Sequence, residues 1–410
     1  MDTISLSYDN CLVPADQLES MADKLEPIIK KIPSLALSKA LADTAQLQLI
    51  HGMVERKKKH NPAMLIVVGI GGSNLGAQAV YEALYGKQGN QHFPLYFADT
   101  VDSDHIHALV HRAEHALKNK RNILIGVISK SGTTTETIAN FECFLELLKK
   151  YQPNKYHEFV VAITDEGSSL WKLAEQQKFD RLPIDKEIGG RYSVFTAVGL
   201  CALDFAQVDT AEFIKGAQSV AVDDARISAS IIAYHAAQGK NIHDFFAFDT
   251  ALESLGKWYR QLMGESLGKD GTGITPTVSI GSTDLHSVGQ LYLGGPTDKT
   301  TAFIEVGHTQ HEIQIPVMKE YDALVPHLQG KTLSVIMKAI VEGTRSAYIK
   351  NKIPCISYVI PKKSAFYMGQ FMQLKMLEMI MLGYLLDVNP FDQPQVELYK
   401  VQTRKILANE

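Results

Sequence analysis

A chain of 410 residues has room for two or three domains and a large core, and 45% hydrophobic with 21% charged residues is an ordinary globular balance. A net charge of -4 without a dominating basic block argues against a nucleic-acid partner, and Lys57-Lys58-Lys59 reads as a solvated helix end. Cys11, Cys143, Cys201 and Cys355 have neither metal-type nor disulfide-framework spacing, MDTISLSYDN lacks the form of a signal peptide, and no apolar run is long enough to span a bilayer, so a metal-free cytoplasmic protein is expected.

The first 59 residues carry a mostly helical pattern broken by Pro14, Pro27 and Pro33, and we assign them no chemistry. Met64–Val68 then opens a first sheet and runs into Gly69-Ile70-Gly71-Gly72-Ser73-Asn74-Leu75-Gly76, followed by a helix through Tyr85. A strand at Leu95–Ala98, a His-rich helix at Asp104–Lys118, a strand at Ile123–Ile128 and a helix at Glu136–Lys149 come next. Strands at Phe159–Ile163 and Arg181–Ile184 flank a helix at Ser168–Gln177. A linking helical region covers Val194–Gln238. A second alternating unit follows, with strands at Ile242–Phe248, Thr277–Ile280, Thr301–Val306 and Cys355–Ile360. Its helices fall at Thr250–Met263, Leu285–Tyr292, Lys331–Asn351 and Lys363–Leu386, and a Pro-punctuated turn with a last helix closes the chain over Asn389–Leu407. The helix candidate Met372–Leu386 carries Gln373, Lys375 and Glu378, so it reads as a buried core helix. Strands alternating with helices predict an α/β fold with parallel sheets and helices on both faces. The expected division is 1–59 helical, 60–193 first α/β domain, 194–238 linker, 239–388 second α/β domain, and 389–410 a turn and helix.

Ligands in such sheets sit beyond the carboxyl ends of the strands. Two suggestive turns lie there. Ser129-Lys130-Ser131-Gly132-Thr133-Thr134-Thr135 packs five hydroxyls, one cation and one glycine between a buried strand and a helix. Backbone N–H groups at a helix start and Ser/Thr hydroxyls suit phosphate oxygens, whereas a simple N-cap needs only one hydroxyl. The glycine loop after Val68 fits a sugar-phosphate contact first, a plain tight turn second and a dinucleotide site third; no lysine follows Gly76, which excludes a Walker loop.

Four further positions carry chemical potential. Gly189-Gly190-Arg191-Tyr192-Ser193 presents one guanidinium on a tight backbone, as either an oxyanion holder or a salt-bridged surface arginine. Glu265, between Gly264 and Gly268, stands where a good helix is expected to break, and is either a general base or a solvated helix-end carboxylate. His286, after the strand at Thr277–Ile280, is an acid-base candidate with a structural alternative. Lys400 alone would be a surface lysine. His105, His107, His111 and His115 lack the H-E-x-x-H arrangement and read as a solvated face, and His308 and His311 remain unassigned.

Taken together, GIGGSNLG, SKSGTTTET, GGRYSVFTAVG, QLMGESLGK, STDLHSVGQ and NPFDQPQVELYK, in that order, resemble the phosphoglucose isomerase family. The first two blocks occur more widely in sugar-isomerase (SIS) domains; the later ones select the family. The resemblance implies two SIS-type doubly wound parallel-sheet domains with helical ends. It implies interconversion of glucose 6-phosphate and fructose 6-phosphate, in glycolysis and gluconeogenesis, without metal or organic cofactor. It puts the phosphate on Ser73, Ser129, Lys130, Ser131 and Thr134, and makes Glu265 the base that moves a proton between C2 and C1 through a cis-enediol. Arg191 would steady the enediolate, His286 and Lys400 would assist ring opening, and Gly72, Glu136, Gln261 and Gln393 would line the sugar pocket. In the family the matching histidine comes from the other subunit, so a homodimer with shared sites is implied. The chain departs from the family pattern at Gln395, usually glycine, at Tyr348–Lys352, and at Thr196, usually serine. A related isomerase of other sugar specificity and a catalytically silent sugar-phosphate sensor are the competing readings; the co-occurrence of Glu265, His286, Arg191 and Lys400 opposes the sensor.

Overall fold

The computed structural model describes residues 3–409. Its strands are β1 (Ser5–Ser7), β2 (Pro62–Val68), β3 (Leu95–Ala98), β4 (Asn122–Ile128), β5 (Val160–Thr164), β6 (Asp180–Pro183), β7 (Ile242–Ala247), β8 (Thr275–Ile280), β9 (Lys299–His308) and β10 (Cys355–Lys362). One sheet runs β3-β2-β4-β5-β6, all parallel. The other runs β1-β10-β9-β7-β8 and is parallel except for β1, which pairs antiparallel with β10. Every residue from Ile123 to Ile128 is buried. That is the continuous apolar run expected of a parallel strand covered on both faces.

Strand order decides where a ligand goes. In the first sheet it reverses between β2 and β4, so a crevice opens beyond their carboxyl ends. The glycine loop follows β2 and the hydroxyl-rich turn follows β4. The second sheet repeats the reversal between β7 and β9.

A buried helix joins the two halves. Ala365–Leu385 is buried without interruption from Tyr367 to Gly383, as a helix that is apolar all round must be. Lys375 and Glu378 lie inside it, fully buried and paired at 2.8 Å. Thr210–Gln218 crosses this helix at backbone distance: a Cβ on Gly369 would lie 1.9 Å from the Phe213 carbonyl oxygen. One core cluster extends through residues of both sheets and includes this helix.

Three sequence expectations need correction. The helical N-terminal segment also contains β1, an edge strand whose pairing partner is remote in sequence. Ala197–Phe205, the first helix of the linking region, is buried at every position and belongs to the core. The helix bearing Glu265 does not break at Gly264; it runs from Glu253 to Leu267 and stops at Gly268. The departures from the family pattern fit their places. Thr196 caps the next helix by accepting from the Val198 N–H, Gln395 takes ordinary right-handed helical angles, and Tyr348 is buried against Phe303.

Candidate active site

The hydroxyl-rich turn has the internal geometry of an anion cradle. Ser129 is buried, and its Oγ lies 2.9 Å from Thr134 Oγ1 and accepts from the Gly132 N–H at 3.1 Å. Thr134 precedes the helix Thr135–Tyr151, and its side chain makes no cap hydrogen bond. The first-turn N–H groups therefore receive no cap from the Thr134 side chain. Ser131 is exposed and accepts from the Thr133 N–H at 3.3 Å. Glu136 is half-buried in the first turn of the same helix. Lys130 donates to the carbonyls of Lys186 and Ile188 at 2.7 and 3.1 Å, tying this turn to the segment that leads into Arg191.

The glycine loop lies against both neighbours because it lacks side chains. A Cβ on Gly69 would lie 2.9 Å from Ser73 Cβ and 3.2 Å from the Ile128 carbonyl oxygen, so Ser73 sits beside the end of β4. A Cβ on Gly72 would lie 2.2 Å from the Gly190 carbonyl carbon and 2.6 Å from the Arg191 nitrogen. Only glycine permits that approach. Gly71, at φ +60, turns the chain against Gln261.

Arg191 is the centre of the network, and its side chain is 1% exposed. Its Nε donates to Ser266 Oγ at 2.8 Å, and Nη1 donates to Gln393 Oε1 at 2.7 Å and to Glu265 Oε2 at 3.3 Å. Its Nη2 donates to the carbonyls of Pro390 and Asp392. Glu265 is 31% exposed at its side chain, and its other oxygen accepts from Gln261 Nε2 at 3.0 Å. A buried cation thus holds one face of a carboxylate whose remainder is open to a ligand. The helix Glu253–Leu267 packs on β8 of the second sheet and on Leu75–Tyr85 of the first half, which brings Glu265 opposite the glycine loop.

Of the sequence-predicted residues, Gly72, Ser73, Ser129, Lys130, Ser131 and Thr134 lie on the turns after β2 and β4, Glu136 stands in the first turn of the helix that follows β4, and Arg191, Gln261, Glu265 and Gln393 form one hydrogen-bonded group. His286 and Lys400 stand apart. His286 is exposed on the turn Thr283–His286 after β8. Lys400 pairs with Glu397 at 2.7 Å on the helix Val396–Leu407. Among the described residues neither shares a hydrogen bond with Arg191 or Glu265.

Sequence reasoning passed over Ser266, Tyr192 and Lys269. Ser266 is buried, accepts from Arg191 and lies 3.0 Å from the Tyr192 hydroxyl. Burial pushes the Tyr192 phenol up, which keeps it protonated as a donor to the Pro390 carbonyl. Lys269 pairs with Asp392 at 2.8 Å, and that hydrogen bond holds the Asp392 carboxyl below its usual range. All three stand inside the GGRYS and ESLGK blocks, beside Arg191 and Glu265. Adjacency was the available signal.

The profile described as phosphoglucose isomerase matches residues 52–410. The chain is 34% identical over 385 residues to the glucose-6-phosphate isomerase of Acholeplasma laidlawii, covering 90% of this chain and 88% of the relative. A hypothetical protein from Thermus thermophilus superposes with a TM-score of 0.85 at 28% identity, covering 99% of this chain and all of that one. A glucose-6-phosphate isomerase from Chlamydia trachomatis shares the fold at a TM-score of 0.83 and 21% identity, over 100% of this chain and 89% of that one. With most of its length matched in both sequence and fold, the chain belongs to the phosphoglucose isomerase family.

Proposed function

We propose that the chain interconverts glucose 6-phosphate and fructose 6-phosphate. The phosphate is held by Ser73, Ser129, Lys130, Ser131 and Thr134, with the helix start behind them. His286 and Lys400 assist opening of the sugar ring. Glu265 then carries a proton between C2 and C1 through a cis-enediol, and Arg191 stabilises the developing enediolate. Gly72, Glu136, Gln261 and Gln393 line the sugar. The carbon acid is weak, so a positioned base worth about 10²–10⁴ in rate leaves much of the acceleration to charge stabilisation and to the remote phosphate grip.

The observation that carries this reading is the pairing of partly open Glu265 with buried Arg191, whose backbone lies against the glycine loop through the Gly72–Gly190 contact. The test is isomerisation of fructose 6-phosphate coupled to a dehydrogenase. Glu265→Gln is expected to lower kcat by about 10²–10⁴ while sugar-phosphate binding persists. Full activity in that variant removes Glu265 from the base role. Solvent-deuterium exchange into fructose 6-phosphate distinguishes an enzyme from a sensor.

We further infer a homodimer with shared sites. Support comes from the exposed position of His286 and from uncovered apolar side chains at Ile313, Val317 and Leu324, which are 65%, 68% and 75% exposed. Mixing inactive Glu265→Gln and His286→Asn proteins is expected to regain activity, because hybrid dimers carry one intact site. No regain after subunit exchange counts against sharing. The two sheets support a division into α/β domains at 60–193 and 239–388. No helix among the described residues is long and apolar enough to cross a membrane, and the four cysteines are unpaired, which supports a cytoplasmic setting.

A further inference from the structure

Lys269 takes no part in the proton transfer proposed above, yet its side chain is only 7% exposed. Its ammonium donates to the Ser266 carbonyl at 3.1 Å and to the Asn389 carbonyl, and it pairs with Asp392 Oδ1 at 2.8 Å. An ammonium has three protons, and here each has an acceptor. The chain is shaped to put it there. The helix stops at Gly268, then reverses through Asp270 and Gly271, both at positive φ, and the Lys269 and Thr272 backbones bond each other at 2.9 and 2.7 Å.

The acceptors of Lys269 and Arg191 alternate along one short turn. Lys269 takes the Asn389 carbonyl and the Asp392 carboxylate, whereas Arg191 takes the Pro390 and Asp392 carbonyls and the Gln393 side chain. Asn389 Nδ2 braces the turn by donating to Asp392 Oδ2 at 2.9 Å. Beyond the turn, the helix Val396–Leu407 buries no residue. The tail is therefore held at its turn, by buried Pro390, by Phe391 packed against Tyr192, and by these two cations.

We propose that Lys269 is a positioning residue that clamps the Asn389–Gln393 turn and, through it, sets Arg191 and Gln393 for the charge-bearing step; this rests on the functional reading above. Lys269 touches no reacting atom. Its effect comes through preorganisation, because a guanidinium whose carbonyl frame can relax loses part of its hold on the enediolate.

The experiment compares Lys269→Met, Lys269→Arg and Asp392→Asn with the unaltered protein. Lys269→Met keeps the stem volume and is expected to lower kcat by about 10–10²-fold, with KM for fructose 6-phosphate within about threefold. The phosphate turn lies on the other sheet, so binding should hardly change. Lys269→Arg should recover most of kcat. Asp392→Asn alters a carboxylate that is 54% exposed, so the fold is not at risk, and the same split is expected at smaller size. Faster hydrogen exchange over 389–393 should accompany it in Lys269→Met. A kcat within about twofold of the starting protein with unchanged exchange overturns the proposal. So does joint loss of kcat and sugar-phosphate binding without rescue by arginine, which marks a merely structural lysine. If Lys269→Met does not fold, Asp392→Asn decides. An unaltered protein inactive on hexose 6-phosphates overturns the functional reading instead, and the exchange data still judge the clamp.

Discussion

At the scale of single residues, Arg191 shows why a guanidinium is needed here. Its three nitrogens reach Ser266, Glu265, Gln393 and two main-chain carbonyls in different directions, with almost no exposure. A lysine ammonium is a point charge and cannot span that set. Arg191→Lys is expected to lower kcat by about 10²–10³, the usual cost of losing one preorganised donor to a developing oxyanion. Steady-state rates on fructose 6-phosphate check it, and a change below about tenfold would remove Arg191 from the charge-stabilising role. The sequence showed that one arginine follows two glycines. It did not show that Gly72 lies against Gly190 or that Gln393 closes the far side, since those contacts join segments more than a hundred residues apart.

Among the elements, helix crossings set how closely the halves meet. Gly369 on the central helix leaves no room for a methyl group beside the Phe213 carbonyl, and Gly216 on the crossing helix is as tight against the Phe366 carbonyl, where a Cβ would lie 1.8 Å away. Gly369→Ala should separate the helices and destabilise the fold by about 1–3 kcal/mol or more, visible as a lower melting temperature. An unchanged melting temperature would mean that the crossing relaxes freely. The same scale separates what the sequence revealed from what it hid. β4 was legible because Ile123–Ile128 is an unbroken apolar run ending at Ser129. β1 was not, because Ser5–Ser7 is short and polar and is a strand only beside β10. Gly264 suggested a helix break, but glycine weakens a helix without stopping it. The neighbours of Gly264 tolerate a side chain, since the nearest atom to a Cβ added there would be Pro276 Cγ at 3.9 Å. The Lys269 clamp was hidden because Asn389 lies far along the chain.

For the whole molecule, one continuous core ties both sheets together, so a charge forced into it is felt throughout. His243 is 1% exposed on β7, and its Nδ1 lies 2.7 Å from Thr300 Oγ1. Burial pushes its pKa from 6.5 down to about 4; Glu378 opposes that shift and Lys375 adds to it. The two latter groups form the fully buried pair at 2.8 Å, whose carboxylate also accepts from Tyr259 at 2.8 Å and Tyr358 at 3.1 Å. In the unfolded chain this histidine takes a proton below 6.5, whereas the folded protein resists doing so until about 4. Its contribution to stability is therefore complete above the unfolded pKa and falls as pH drops through that window, by a total on the order of 3 kcal/mol. Urea titrations between neutral pH and about 4 should show midpoints that decline with acid, and His243→Gln, which binds no proton, should decline less steeply. Equal acid slopes in the two proteins would assign the decline to other groups. Because the histidine sits on the sheet that carries β8 and the turn of His286, loss of order there should open the second half, with the hydroxyl-rich turn of the first sheet following as the shared core is lost.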